Sequence, residues 1–197
     1  MSKSEDAPFI VGLGGSTRPG SSTERAVRLS LDAAEALGAT TQLFDGPFLC
    51  ALPHYGAGTT VHTPEQHALI DAVSRCDGII VGSPGYHGSI SGLIKNALDT
   101  LEALSKTTPV YLDNRAFGCI VTAYGWQACG TTLVTLRTIA HALRAWPTPL
   151  GVTINAALPL FDEEGRCVDD SAAAQLKLVA AQTVEFARKS SALRRAA

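Results

Sequence analysis

A loop near the N-terminus carries an unusual density of small hydrogen-bond donors. The segment GGSTRPGSST, residues 14–23, follows an apolar run and precedes a helical pattern. Backbone N–H groups at a helix N-terminus point outward, and the helix dipole favours an anion there. The loop also holds hydroxyl and cationic side chains, namely Ser16, Arg18, Ser21, Ser22 and Thr23. A terminal phosphate presents three oxygens that need several donors, so this loop is predicted to bind a phosphate.

Two established nucleotide motifs fit this loop only in part. A P-loop needs a lysine after its second glycine, but Ser21 follows Gly20 here. A dinucleotide fingerprint needs a third glycine where Thr17 stands, although Asp45 could serve as the ribose-binding acid. A turn that merely caps the following helix is the remaining alternative.

Two further loops place aromatic side chains between glycines. They are SPGYHGS, residues 83–89, and AYGWQACG, residues 123–130. Aromatic faces and closely approaching backbone amides suit a planar heterocycle with polar edges. The candidate contacts are Pro84, Gly85, Tyr86, His87, Gly88, Ser89, Tyr124, Gly125 and Trp126. One phosphate loop beside two ring-binding loops predicts a mononucleotide with a tricyclic base, which points to FMN.

The elements that must position these loops alternate between strands and helices. Buried strands are predicted at 9–15, 40–45, 78–83, 116–123 and 150–155. Helices are predicted between them, with Ser22 or Thr23 capping the first, Ser91 capping another, one at 131–145 and a last one at 171–189. Residues 45–63 are predicted to form a long loop. The pattern predicts a parallel sheet covered on both faces, whose ligand lies beyond the carboxyl ends of the strands.

Composition excludes several classes of protein. Of the 197 residues, 46% are hydrophobic and 17% charged, which indicates one globular domain over 1–197, with a core at about 8–190, a polar N-terminal tail and a basic C-terminal tail. A net charge of -2 gives no case for binding nucleic acid or an anionic membrane. The polar start and the five unpatterned cysteines favour a cytoplasmic protein. Neither the cysteines nor the histidines have metal-ligand spacing, so no metal is expected.

The chain resembles the NADPH-dependent FMN reductase family of the flavodoxin-like superfamily. The first loop is similar to the family's phosphate loop at Gly15, Ser16, Arg18, Ser21 and Thr23. The segment 83–99 matches a longer family motif at Pro84, Tyr86, Ser89, Gly92, Lys95, Asn96, Ala97, Leu98 and Asp99. The chain departs from many relatives at Gly85 and His87, where those relatives carry Glu and Asn.

The resemblance implies a three-layer sandwich with a five-stranded parallel sheet in the order 2-1-3-4-5. It also implies noncovalently bound FMN, NADPH or NADH as hydride donor, and homodimers or homotetramers. Arg75 or Arg115 could meet a 2′-phosphate of the donor. The interpretation of Lys95 and Asp99 stays open between a surface ion pair and a contact between subunits. His54 and Tyr55 could edge the site or be ordinary loop residues, and Cys129 is expected to be an inert thiol.

The expected function is therefore an NAD(P)H-dependent oxidoreductase that works by a ping-pong route. Its acceptor could be a flavin, a quinone, an azo compound or a metal oxyanion, with a flavin-dependent monooxygenase as a possible partner. Backbone N–H groups at 125–128 are expected to stabilise charge on the reduced ring, and no catalytic side chain is assigned. An electron carrier without nicotinamide turnover is the main alternative, although such carriers tend to be strongly acidic. A flavin-binding sensor or scaffold is a further one.

Overall fold

Strands and helices alternate along the chain, as the sequence predicts. The computed structural model describes residues 7–58 and 61–196, with side chains described up to residue 192. The strands are β1 (Phe9–Gly14), β2 (Thr40–Phe44), β3 (Gly78–Tyr86), β4 (Ser89–Ile90), β5 (Ala116–Ala123) and β6 (Trp146–Asn155). The helices are α1 (Ser22–Ala36), α2 (Gly46–Ala51), α3 (Pro64–Arg75), α4 (Gly92–Thr100), α5 (Trp126–Ala142) and α6 (Asp170–Ala196). A 3₁₀ turn, Leu101–Leu104, follows α4.

The sheet has the predicted strand order. Its five parallel strands run β2-β1-β3-β5-β6, which is 2-1-3-4-5 when the parallel strands are counted along the chain. The short strand β4 pairs with β3 in the antiparallel sense and stands outside this order. Since β1, β3, β5 and β6 are neighbours, the loops that follow them meet at one edge of the sheet.

Alternating side chains of the strands divide the core into two layers. Ile10, Ile80 and Ile120 face α1 and α6, and they belong to one buried apolar cluster. Their chain neighbours Val11 and Ile79 belong to a second cluster, which also contains residues of α3, α4 and α5. This division follows from the period of two in a β-strand, and it explains the unbroken apolar runs in the sequence.

Two predicted loop segments contain regular structure. Residues 45–63 include helix α2, and the Asp45 carboxylate accepts a hydrogen bond from the Phe48 N–H at 3.0 Å. Asp45 is thus a helix cap, and its interpretation as a ribose-binding acid loses support. Helix α5 begins at Trp126 and not at 131, so most of the third predicted loop is the first turn of a helix.

Other predicted boundaries also shift. The cap of α1 is Ser21, one residue before the predicted Ser22 or Thr23, whereas Ser91 caps α4 as predicted. Strand β6 begins at Trp146 and tolerates two prolines because it is an edge strand with a register shift against β5. Helix α6 begins at Asp170 and extends to Ala196, beyond the predicted end.

None of the helices in the described part of the chain has both the length and the apolar character needed to cross a membrane.

Helix α1 approaches β1 and β3 closely because two glycines leave room for Val27. An added Cβ would lie 2.7 Å from Val27 Cγ2 at Gly14 and 2.4 Å from it at Gly82. Valine cannot easily swing away, since its branched side chain is restricted at χ1. The glycines therefore fix the distance between the first turns of α1 and the ends of the two strands.

We predict that Gly82→Ala lowers the free energy of unfolding by about 1–3 kcal/mol through overpacking against Val27. Urea denaturation of the purified protein measures this change. Gly130→Ala is the matched control, because Gly130 is exposed on α5 and an added Cβ there meets no atom within 4 Å. That control should raise stability by about 0.5–1 kcal/mol, as expected for glycine in a helix. A Gly82→Ala protein as stable as the wild type would contradict the close approach.

Candidate functional site

The three predicted loops meet around one cavity of about 120 Å³. Its walls come from the first loop, the end of β3, the end of β5 and the segment after β6. The lining residues are Ser16, Arg18, Ser21, Ser22, Thr23, Pro84, Gly85, Tyr86, Thr122, Ala123, Tyr124 and Ala156. Nine of the predicted contacts are thus brought together, whereas His87, Gly88, Ser89, Gly125 and Trp126 do not line this cavity.

The first loop presents positive charge and polar groups to the cavity. Arg18 is exposed and forms no ion pair with any described side chain. The Ser16 hydroxyl accepts a hydrogen bond from the Arg18 N–H at 3.3 Å, and Ser22 is partly exposed. The Ser21 hydroxyl caps α1 by accepting from the Glu24 N–H at 3.3 Å. This arrangement suits an anion at the start of α1.

The Thr23 hydroxyl is engaged within the protein. It forms a short hydrogen bond with the Thr122 hydroxyl at the end of β5, and both side chains are buried. This bond ties the first turn of α1 to the end of β5, and no described residue accepts a hydrogen bond from the Thr23 backbone N–H. Thr122 is not among the residues predicted to line the site. The alternation of side chains along β5 could have indicated it, because that alternation places Thr122 on the same face as Ile120.

The first loop rests on a glycine from another element. At Gly46, the first residue of α2, an added Cβ would lie 2.0 Å from the Ser16 carbonyl oxygen. Gly15 adopts a φ of 129°, and its own Cβ position lies 3.0 Å from the Gly46 nitrogen. The two glycines allow the loop backbone to cross the start of α2 in direct contact. Gly46 was also missed, since it lies in the segment predicted to be a long loop.

The second loop is a tight β-hairpin. His87 and Gly88 form its two-residue turn with φ values of 53° and 81°, as a type I′ turn requires, and Tyr86 pairs with Ser89 across it. Gly85 packs against α5 and β5: a Cβ there would lie 2.8 Å from Thr132 Oγ1 and 2.9 Å from Ala123 Cβ. A larger residue at position 85 is therefore excluded in this arrangement.

The third loop is short and held by an amide side chain. The Gly125 N–H donates to Asn155 Oδ1 at 3.1 Å, and the same oxygen accepts from the Ala157 N–H at 3.1 Å. The donors predicted at 125–128 are thereby reduced to the first-turn N–H groups at 126–128, which have no acceptor within α5. Tyr124 is 82% exposed beside the cavity. Trp126 lines a separate cavity of about 100 Å³ together with Asn155.

Both arginines suggested for a donor phosphate lie at the opposite edge of the sheet. Arg115 precedes β5, is buried, and donates at 2.7 Å to each of three backbone carbonyls, those of Ser74, Cys76 and Tyr111. Arg75 precedes β3 and pairs with Asp71 at 2.8 Å. Their positions at the amino ends of the strands support neither suggestion.

Other candidate residues also lie away from the cavity. His54 and Tyr55 line a larger, separate space of about 670 Å³ beside α3 and α4, and do not edge the predicted site. Lys95 and Asp99 form a surface ion pair at 2.7 Å on α4. Within the described ranges, no group of three His, Cys, Asp or Glu residues could hold a metal ion.

Comparisons with known proteins show the family to which the chain belongs. The family model for NADPH-dependent FMN reductases matches residues 8–177. The chain belongs to that family. An FMN-dependent NADPH-azoreductase of Staphylococcus haemolyticus is 31% identical over 119 residues, which are 58% of this chain and 56% of that protein. An iron-sulfur flavoprotein of Archaeoglobus fulgidus is 26% identical over 45% of this chain and 43% of that one. The chain thus spans about half the length of these two curated relatives.

Solved structures show that the fold is flavodoxin-like. The flavoenzyme FerB of Paracoccus denitrificans, an NAD(P)H:acceptor oxidoreductase, has a TM-score of 0.74 at 19% identity, over 93% of this chain and 98% of its own. A flavodoxin, WrbA-like protein from Agrobacterium tumefaciens has a TM-score of 0.65 at 18% identity, over 93% and 99%. The predicted fold class and the predicted family are both confirmed.

Cys129 is expected to be inert although it lies in the third loop. Its side chain is buried, with Sγ 3.3 Å from the Ile154 carbonyl oxygen, and burial raises its pKa. Burial also raises the pKa of Cys76 and of Cys119 to about 12.

We predict that a water-soluble disulfide reagent at pH 8 labels the exposed Cys50 rapidly in the native protein and leaves Cys76, Cys119 and Cys129 unlabelled. Mass spectrometry of labelled peptides before and after denaturation measures this. Cys50→Ser is the control and should remove labelling at that position, leaving only that of the partly exposed Cys167. Rapid native labelling of Cys129 would show that the start of α5 opens.

Proposed function

We propose that the protein is an NAD(P)H-dependent oxidoreductase that holds FMN at the carboxyl ends of β1, β3 and β5. NAD(P)H gives a hydride to the bound flavin, and a small-molecule acceptor is then reduced in the same cleft by a ping-pong route. The observation that carries this proposal is the convergence of three loops on one cavity, in a chain whose family match extends over residues 8–177.

The donors on the first loop fit the phosphate of FMN. Arg18 supplies a positive charge without an ion-pair partner among the described side chains, and Ser16, Ser22 and the N–H groups at 21–23 supply hydrogen bonds. A volume of about 120 Å³ lies below that of typical ligand pockets, which hold several hundred Å³. The cavity therefore accommodates the phosphate end of the cofactor, and the ring extends toward the open side.

The ring would meet the second and third loops. Pro84, Gly85, Tyr86 and Tyr124 offer apolar and aromatic contacts at the cavity, and Tyr86 and Tyr124 are 53% and 82% exposed. We place His87, Gly88, Ser89, Gly125 and Trp126 at the rim, because they adjoin these contacts in sequence. The open side leaves space from which a nicotinamide or an acceptor can approach.

The chemistry that FMN supplies when bound is hydride acceptance and transfer of reducing equivalents. The protein supplies orientation and electrostatics. The first-turn N–H groups of α5 at 126–128 are aligned with the positive end of the helix dipole, so they favour negative charge nearby. Asn155 fixes this helix start through Gly125. Hydride transfer itself requires no proton donor from a side chain.

Several finer assignments belong to the proposal. An azo compound is the first acceptor to test, because a 31% identical relative is an azoreductase; flavins, quinones and metal oxyanions follow. Assembly into homodimers or homotetramers, and delivery of reduced flavin to a monooxygenase, are also proposed. The net charge of -2 argues against an electron carrier that docks cationic partners.

We predict that the double variant Ser16→Ala/Arg18→Ala weakens FMN binding about 10- to 100-fold, because it loses a hydroxyl and a charged donor. Riboflavin, which lacks the phosphate, should bind within about twofold of the wild type. Quenching of flavin fluorescence on titration of the apoprotein measures both constants. The matched control is Ser74→Ala/Arg75→Ala, which removes the same residue types at the opposite edge of the sheet. Unchanged FMN affinity would refute the placement of the phosphate.

We predict that NADPH or NADH bleaches the bound flavin anaerobically within the turnover time, and that initial rates with an azo acceptor give parallel double-reciprocal lines. Stopped-flow absorbance and steady-state kinetics measure these. A flavin that binds but is not bleached by either nucleotide would identify a carrier. If the flavin is bleached but the double-reciprocal lines intersect, the protein is still an oxidoreductase and the ping-pong route is refuted.

A further inference from the structure

The start of α1 carries a capping box that is displaced by one residue. Ser21-Ser22-Thr23-Glu24 has the S-x-x-E pattern, in which the N3 carboxylate ordinarily accepts a hydrogen bond from the N–H of the capping residue. Ser21 does accept from the Glu24 N–H. The Glu24 carboxylate, however, accepts through Oε2 from the N–H of Gly20 at 3.1 Å, one residue before the cap.

This displacement changes which donors stay available. No described residue accepts a hydrogen bond from the N–H groups of Ser21, Ser22 or Thr23. An ordinary capping box would have occupied the first of these. Gly20 adopts a φ of 65°, and its N–H is occupied by the Glu24 carboxylate. Three consecutive backbone donors therefore remain at the wall of the cavity.

A carboxylate this close to a phosphate site would oppose an anion unless its charge were compensated. The Glu24 side chain is only 9% exposed, so solvent screens it little. Arg28, one helical turn later, pairs with Glu24 Oε1 at 3.1 Å. The two carboxylate oxygens thus have different partners: one accepts a hydrogen bond from the Gly20 N–H, and the other is paired with the Arg28 guanidinium.

We infer that Glu24, compensated by Arg28, is a positioning residue for phosphate recognition. It acts through Gly20, holding the first loop so that the N–H groups at 21–23 stay free for the phosphate. The inference rests on the proposed binding of FMN at this cavity. It assigns a role to two residues, Glu24 and Arg28, that are not among the residues predicted from the sequence to bind the cofactor.

The test compares flavins with and without a phosphate. FMN and riboflavin are titrated into apoprotein of the wild type, Glu24→Ala, Glu24→Gln and Glu185→Ala. Glu185→Ala is the matched control, because Glu185 forms a similar i,i+4 ion pair with Lys189 on α6. We expect Glu24→Ala to weaken FMN binding about tenfold and to leave riboflavin within twofold. Glu24→Gln keeps an acceptor for Gly20, so it should bind FMN within about threefold of the wild type.

A second comparison tests whether Arg28 compensates the negative charge of Glu24. Arg28→Ala leaves the carboxylate uncompensated, so FMN affinity should fall about three- to tenfold, and Glu24→Gln in the same chain should restore it. Equal losses for FMN and riboflavin in Glu24→Ala would show a merely structural role and overturn the inference. Unchanged FMN affinity in Glu24→Ala would do the same. A wild type that binds riboflavin and FMN equally would overturn the proposed phosphate site, and this inference with it.

Discussion

The site depends on the close packing of Val27 against Gly14 and Gly82. This packing brings the first turn of α1 against the ends of β1 and β3, the two central strands whose following loops form the cavity. A helix start at this position directs its unpaired N–H groups toward the space beyond the sheet. The hydroxyl pair Thr23–Thr122 extends the same contact to β5. The proposed anion site is therefore a consequence of packing in the core beneath it.

Two other close contacts between chain segments around the cavity also require glycine. Gly46 lets the phosphate loop cross the start of α2, and Gly85 lets the β-hairpin lie against α5. At Gly15, Gly20, Gly88 and Gly125 of the three loops, a positive φ favours glycine. At Gly46 and Gly85 the constraint is space. The requirement for glycine at position 85 is therefore steric, because an added Cβ would meet Thr132 and Ala123.

The sheet and its three loops could be predicted because they leave strong local signals. Apolar runs identify buried parallel strands, and the strand-to-loop junctions carry the glycines and hydroxyls. Helix α2 and the early start of α5 left weaker signals, since GPFLCA and WQACG mix glycine with aromatic residues. Thr122 and Asn155 act across the sheet, on residues far away in sequence. Such pairings depend on register, which no short motif encodes.

The two halves of the site differ in exposure, and this difference bears on the proposed chemistry. On the phosphate side, the exposed Arg18 lies beside residues that are buried, namely Ser21, Thr23 and Glu24. The ring side is built from Tyr86 and Tyr124, which are largely open to solvent. Within one described chain, the cofactor would thus be retained by its phosphate and not by enclosure of its ring. A flavin ring that is open to solvent discriminates weakly among flat acceptors, because discrimination requires contacts that a competing molecule cannot satisfy. Selectivity for an acceptor would then depend on groups that cover this face, such as those of the second copy in the proposed homodimer.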